Sequence, residues 1–148
     1  MIYADTDVLL SLFCPDSLSA TAAKWYANTS GPVCISPWSV IEFRSNMGLR
    51  ARKGLLPRVN CLAVMKQFDA AAIANFHLLV PAPEHFLQAG AWLTKTECAL
   101  RAGDALHLAV AFGHRCEQFV SFDQPLGAAA KKLRLPFLTL KTTQVFGP

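Results

Sequence analysis

The sequence predicts an α/β layer fold with a parallel sheet. Three observations carry that expectation. Short apolar runs of strand length alternate with longer helical patterns from one end of the chain to the other. Breaker residues such as Pro15, Pro32, Pro57, Pro81 and Pro83 separate these segments. No repeat, linker or low-complexity tract interrupts the alternation, and 148 residues lie in the size range of one domain.

Taken in order, residues 2–4 (Ile-Tyr-Ala) read as a short buried strand. Val8 to Phe13 follow as a helical segment closed by Pro15. Ser19 is an expected N-cap for a helix through Ala22, Ala23, Trp25 and Tyr26, which Asn28 to Pro32 break. Val33 to Ser36 form the second apolar run. Pro37-Trp38-Ser39 opens a helix carrying Val40, Ile41, Phe43 and Met47, and residues 48–54 read as its basic end and loop. Pro57 suits a first helical position, with Val59, Leu62, Ala63, Met65, Phe68 and Ile73 as the apolar stripe. Phe76 to Val80 is the third expected strand. Glu84 to about Thr96 is a helix striped by Phe86, Ala89 and Leu93, with Trp92 alongside. Ala105 to Phe112 read as a buried helix, Phe119 to Phe122 as the fourth strand, Leu126 to Leu133 as a helix, and Pro136 to Leu140 as a last strand.

Composition limits the class. The chain is 53% hydrophobic and 16% charged, with a mean hydropathy of +0.30. So apolar a composition leaves surface to hide, which points to a dimer or a tightly bound partner. No apolar run reaches the roughly 18–20 residues of a membrane span. The opening segment lacks a basic n-region, so the expectation is a cytoplasmic protein without a signal peptide. Five cysteines, Cys14, Cys34, Cys61, Cys98 and Cys116, are odd in number and unevenly spaced, with no CxxC pair. Free thiols in a reducing compartment are expected, and a soft-metal site is not. The net charge of +4 gathers at Arg44, Arg50, Arg52, Lys53 and Arg58, and again at Lys131, Lys132, Arg134 and Lys141. A phosphate-bearing partner and a set of solvated helix faces both fit that pattern.

The acids are more informative. Of only 10 in the chain, Asp5, Glu42, Asp104 and Asp123 all fall at boundaries of apolar elements. Asp5 and Asp123 follow strands, whereas Glu42 and Asp104 stand near helix starts. Singly, each reads as a cap, a turn or a helix-dipole partner. Together, in a parallel sheet, they can converge on one edge. Converging carboxylates repel one another unless a cation intervenes, and hard oxygen ligands suit Mg²⁺ or Mn²⁺. Such a centre activates water and orients a phosphodiester.

Four segments carry a resemblance to the PIN-domain ribonucleases, and within them to VapC-type toxins. They are Ile2-Tyr3-Ala4-Asp5-Thr6-Asp7-Val8-Leu9, Ser39-Val40-Ile41-Glu42-Phe43-Arg44, Leu100-Arg101-Ala102-Gly103-Asp104-Ala105-Leu106-His107-Leu108-Ala109 and Phe119-Val120-Ser121-Phe122-Asp123. Their order and spacing span nearly the whole chain. The resemblance implies a single three-layer α/β/α domain, with a central and mainly parallel sheet of about four to five strands. It implies a Mg²⁺- or Mn²⁺-dependent endoribonuclease with Asp5, Glu42, Asp104 and Asp123 in the metal-binding positions. It further implies an RNA substrate, a homodimer and a cognate antitoxin whose C-terminal segment fills the groove.

Other residues have two readings. Asp7 stands where many such proteins have Ser or Asn, and is either a further metal or water contact or a cap for the following helix. His107, three residues after Asp104, resembles a ligand pair, but its apolar neighbours favour a packed histidine. Thr6 is either a support for a metal-bound water or part of the fold's first turn. Arg44 is a contact for RNA or antitoxin, or the partner of an acid. Gly103 is expected to permit close backbone packing beside Asp104, and Trp25, Trp38 and Trp92 to anchor core or interface. Two rival functions exist. Asp5-Thr6-Asp7 matches the opening of haloacid-dehalogenase-like phosphatases, although Leu9 and the lack of an acid beside Asp123 do not. The other rival is a non-catalytic module that holds a basic peptide in an acidic pocket.

Overall fold

The computed structural model describes residues 1–141. Five strands form one sheet in the order β3-β2-β1-β4-β5, and every neighbouring pair is parallel. The strands are β1 (Ile2–Ala4), β2 (Val33–Ile35), β3 (His77–Leu78), β4 (Gln118–Ser121) and β5 (Phe137–Thr139). The helices are α1 (Thr6–Phe13), α2 (Ser19–Ala27), α3 (Pro37–Arg52), α4 (Arg58–Asn75), α5 (Pro83–Leu93), α6 (Ala102–Gly113) and α7 (Gln124–Lys132), with a 3₁₀ turn at Thr96–Cys98.

The pleat divides the sheet into two faces, because successive side chains point to opposite sides. Tyr3, Cys34 and Phe119 face one way, into a core made with Ala89 and Trp92 of α5 and Leu108 of α6. Ala4 and Ile35 face the other, where Leu9, Phe43, Met47 and Phe68 from α1, α3 and α4 meet them. Phe43 and Phe68 stack with ring centroids 4.0 Å apart, which clamps α3 to α4. These are the three layers that the resemblance implies.

Connectivity fixes where a ligand binds. From β1 the chain moves outward through β2 and β3 on one side, then returns to place β4 on the other side of β1. A crevice opens at such a switch point, outside the carboxyl ends of the two strands. Asp5 directly follows β1, and the residue two beyond the end of β4 is Asp123.

Local chemistry differs from expectation in several places. Only part of the stripe expected on α4 is buried: Phe68 and the half-buried Met65 face the core with Cys61, while Val59, Leu62 and Ile73 are 71%, 52% and 89% exposed. On α5 the buried face is His85, Ala89 and Trp92, and Phe86 lies outside it. That helix ends at Leu93, and β3 is only two residues long. Leu18 is the cap residue of α2, and Ser19 is its first residue. Pro57 occupies the cap of α4 rather than its first helical position. The basic segment after Gly48 continues α3 as far as Arg52. All five cysteines are free and buried. No helix among the described residues is long and apolar enough to cross a membrane.

Candidate active site

The acids gather where the crevice is expected. Asp5, Asp7, Glu42, Asp104 and Asp123 all line one open cleft of about 420 Å³, together with Thr6, Ser45 and Asn46. Arg101 is the only cationic side chain in its wall among the described residues.

Each acid reaches the cleft for a local reason. Asp5 is the N-cap of α1, with its Oδ1 accepting from the Thr6 amide at 2.7 Å. Its Oδ2 accepts from the Ser121 hydroxyl of β4 at 2.8 Å. Asp7 does not cap α1. Its Oδ2 instead accepts from the Phe122 amide at 2.9 Å and contacts Ser121 Oγ at 2.8 Å, which ties α1 to the end of β4. Asp123 is the N-cap of α7, accepting from the Leu126 amide at 2.9 Å. Asp104 sits in the first turn of α6. Glu42 lies on the second turn of α3, whose direction is fixed by a reciprocal cap: Ser36 Oγ accepts from Ser39 N, and Ser39 Oγ from Ser36 N.

Glu42 is held by two side-chain donors on one oxygen. Its Oε2 accepts from Thr6 Oγ1 at 2.7 Å and from His107 Nε2 at 2.7 Å. His107 is 1% exposed, with Nδ1 at 2.8 Å from the Tyr3 hydroxyl and Nε2 at 3.8 Å from Asp5 Oδ1. Asp5, Glu42 and His107 form the tightest group of possible ligands, with their donor atoms within 4.8 Å of one another. Asp104 and Asp123 line the cleft with Asp5 and Glu42 but stand outside that inner group, and His107 lies behind the cleft wall. Sequence reasoning placed His107 in the apolar core; it is buried, yet every polar contact it makes belongs to this site. The available signal was a histidine one helical turn from Asp104, together with a tyrosine in the central strand.

The electrostatics are those of a site short of positive charge. Burial pushes the Asp5 carboxyl up, against the pull of His107 and the bonds from Ser121 and Thr6. Burial and then the charge of Asp5 push Asp7 up to about 7. Burial raises Asp104 as well, with Asp5 and Asp123 adding repulsion. Glu42 goes the other way: burial opposes its charge, but the bond to His107, the charge of that ring and the bond from Thr6 outweigh it and hold the carboxyl low. Burial likewise opposes a charge on His107, and the facing carboxylates of Glu42, Asp5 and Asp104 override it, so the ring is raised. Ser121 Oγ has one proton and contacts both Asp5 and Asp7 at 2.8 Å. Both contacts are satisfied together only when one carboxyl is protonated, which agrees with the raised Asp7.

A divalent cation fits this donor set. The ligands facing the cleft are carboxylate oxygens, the preferred partners of hard cations. Asp7 Oδ1 is buried without a hydrogen-bond partner, a position that a cation or its water would satisfy. The phosphatase reading fits less well, because both oxygens of Asp5 are engaged by Thr6 and Ser121 and only 7% of the residue is exposed.

Arg44 pairs with Asp69 of α4 at 2.6 Å, so this arginine has an acid partner within the chain. Gly103 lies against Glu42 and Trp38: a Cβ there would stand 2.8 Å from Glu42 Oε1 and 3.3 Å from the indole nitrogen. The close packing expected at this glycine is present, and it is directed at the site.

A parallel sheet whose switch point carries a carboxylate cleft defines an α/β domain with an acidic site, and the family comparison makes that specific. The PIN domain model matches residues 2–132, and the chain belongs to the PIN domain family. Solved structures share the fold. VapC20 of Mycobacterium tuberculosis, described as a sarcin-ricin loop cleaving toxin, is 22% identical, with a TM-score of 0.68 over 87% of this chain and 95% of that one. FitAcB from Neisseria gonorrhoeae is 17% identical, with a TM-score of 0.69 over 94% of this chain and 97% of that one. VapBC2 from Rickettsia felis, bound to a fragment of its promoter DNA, is 14% identical, with a TM-score of 0.64 over 95% of this chain and 100% of that one. No curated protein matches the chain in sequence.

Proposed function

We propose that this PIN-domain protein is an endoribonuclease dependent on Mg²⁺ or Mn²⁺, and the toxin of a toxin–antitoxin pair. The observation that carries the reading is the convergence of Asp5, Glu42, Asp104 and Asp123, from four separate elements, on one cleft at the sheet's switch point. Asp5 and Asp104 are the main candidates to hold the cation, with Glu42 and Asp123 completing its shell or orienting water. When bound, the cation supplies Lewis-acid charge and a water activated for attack on phosphorus.

The remaining contributions come from the chain itself. The Thr6 hydroxyl donates to Glu42 and helps hold that carboxylate in place. Arg101 directly precedes α6 at the cleft wall and is exposed. There it offers a guanidinium to the phosphate next to the scissile one, easing the approach of a polyanion to an acidic cleft. The toxin role draws on the fold neighbours, among them a toxin–antitoxin complex from Klebsiella pneumoniae. An antitoxin partner is therefore part of the proposal. A homodimer is also proposed, supported by the apolar residues Phe86 and Leu87 on α5 and Phe112 on α6, which are 57%, 76% and 53% exposed.

Induced expression in a bacterial host, with mapping of RNA ends, tests this reading. The expected result is growth arrest with new cuts at defined RNA sites, both abolished by Asp104→Asn. Arrest that persists unchanged in that variant would overturn it.

A further inference from the structure

We propose that His107 is a positioning residue, held by the Tyr3 hydroxyl, that fixes the Glu42 carboxylate at the cation site. The inference rests on the metal-dependent reading above and assigns a role to a buried group which that reading leaves unused.

A glutamate side chain at a cleft edge has several rotatable bonds and loses them only where its oxygens are held. Glu42 Oε2 meets two donors at 2.7 Å, from Thr6 and His107. These take up that oxygen and leave Oε1 beside Gly103. A free His107 ring would not direct the carboxylate, and it is not free. Its Nδ1 lies 2.8 Å from Tyr3 Oη, and Tyr3 is fully buried in β1 and stacked on Phe119 with centroids 5.3 Å apart. The same hydroxyl donates to Ser36 Oγ at 2.8 Å, and Ser36 caps the helix that carries Glu42. The central strand therefore holds Glu42 twice, through His107 from α6 and through the cap of α3. Ligating carboxylates are commonly fixed by such outer partners. His107 Nε2 is already engaged with Glu42, so acting as a ligand itself would require breaking that bond.

Calorimetric titration of the full chain with Mn²⁺ tests the proposal without relying on catalysis. His107→Leu should weaken Mn²⁺ binding roughly 10- to 100-fold. His107→Gln, which keeps an N–H donor for Glu42, should recover most of that loss, and Tyr3→Phe should fall between. In a Glu42→Gln background, His107→Leu should add less than about 2-fold, because the group it positions is gone. Equal losses in the two backgrounds would overturn the proposal. So would unchanged affinity in both His107→Leu and Tyr3→Phe, or no Mn²⁺ binding by the unaltered chain. Should His107→Leu fail to fold, Tyr3→Phe and His107→Gln decide the matter. Parallel RNA cleavage separates the two readings: coupling to Glu42 without cleavage supports the positioning role and refutes only the ribonuclease.

Discussion

Replacing Asp7 by Asn should stabilise the metal-free protein at high pH and hardly change it at low pH. Burial and the charge of Asp5 raise Asp7 from 3.8 to about 7 in the folded chain. The folded state therefore keeps this proton after the unfolded chain has released it. Stability from the group is complete below the unfolded value and is lost as pH rises through about 7. A difference of that size corresponds to on the order of 4 kcal/mol at pH 8. Part of it is repulsion shared with Asp5, and the new Nδ2 still lacks an acceptor, so a gain of about 2 kcal/mol is expected. The Asn oxygen can keep the bond from the Phe122 amide, whereas the one Ser121 proton stays with Asp5. For a domain of this size that gain is roughly 4–8 °C in Tm. Thermal unfolding in EDTA at pH 5 and pH 8, followed by circular dichroism, measures it. Added Mg²⁺ should raise the parent protein more than the variant, because the cation relieves the same repulsion. A variant less stable than the parent at pH 8, or a gain equal at both pH values, would refute the reasoning.

Two further substitutions probe the cleft. Gly103→Ala places a methyl group 2.8 Å from Glu42 Oε1, and should cut RNA cleavage at least roughly tenfold with little loss of helix content; cleavage rate and far-ultraviolet circular dichroism read the two effects. Arg101→Ala should raise KM for RNA more than it lowers kcat and reduce the salt slope of binding by about 0.7–0.9, as expected for one lost phosphate contact; cleavage kinetics and RNA binding across a salt series check this.

The alternation of strands and helices was legible because β1, β2 and β4 are short apolar runs bounded by turn residues and acids. The acid positions were legible for the same reason: a carboxylate at the end of a buried strand stands out against it. The buried face of α4 was not. Its apolar residues surround the helix, and Met65 and Phe68 of the expected stripe fit a face with Cys61 and Ala72 as well as one with Val59, Leu62 and Ile73. The stack of Phe68 on Phe43 goes with burial of the first face, and a contact between helices does not show in either helix's own pattern. His107 is buried, as its apolar neighbours indicate, but its polar partners do not show in the sequence. Leu106, Leu108 and Ala109 mark a core helix, whereas its partners Glu42 and Tyr3 lie 65 and 104 positions away. The roles of Asp5 and Asp7 are equally hidden, because both precede or begin α1 and only the Thr6 amide on Asp5 and the Phe122 amide on Asp7 show that Asp5 caps it while Asp7 reaches the end of β4.

Cleavage of RNA by the carboxylate cleft with a divalent cation is best measured on purified protein free of antitoxin. RNA would be incubated with Mg²⁺ or Mn²⁺, with EDTA, and with Asp104→Asn shown to be folded. The expected result is cleavage with either cation, lost in EDTA and lost in the variant. Cleavage that survives EDTA or the Asp104→Asn substitution would contradict it.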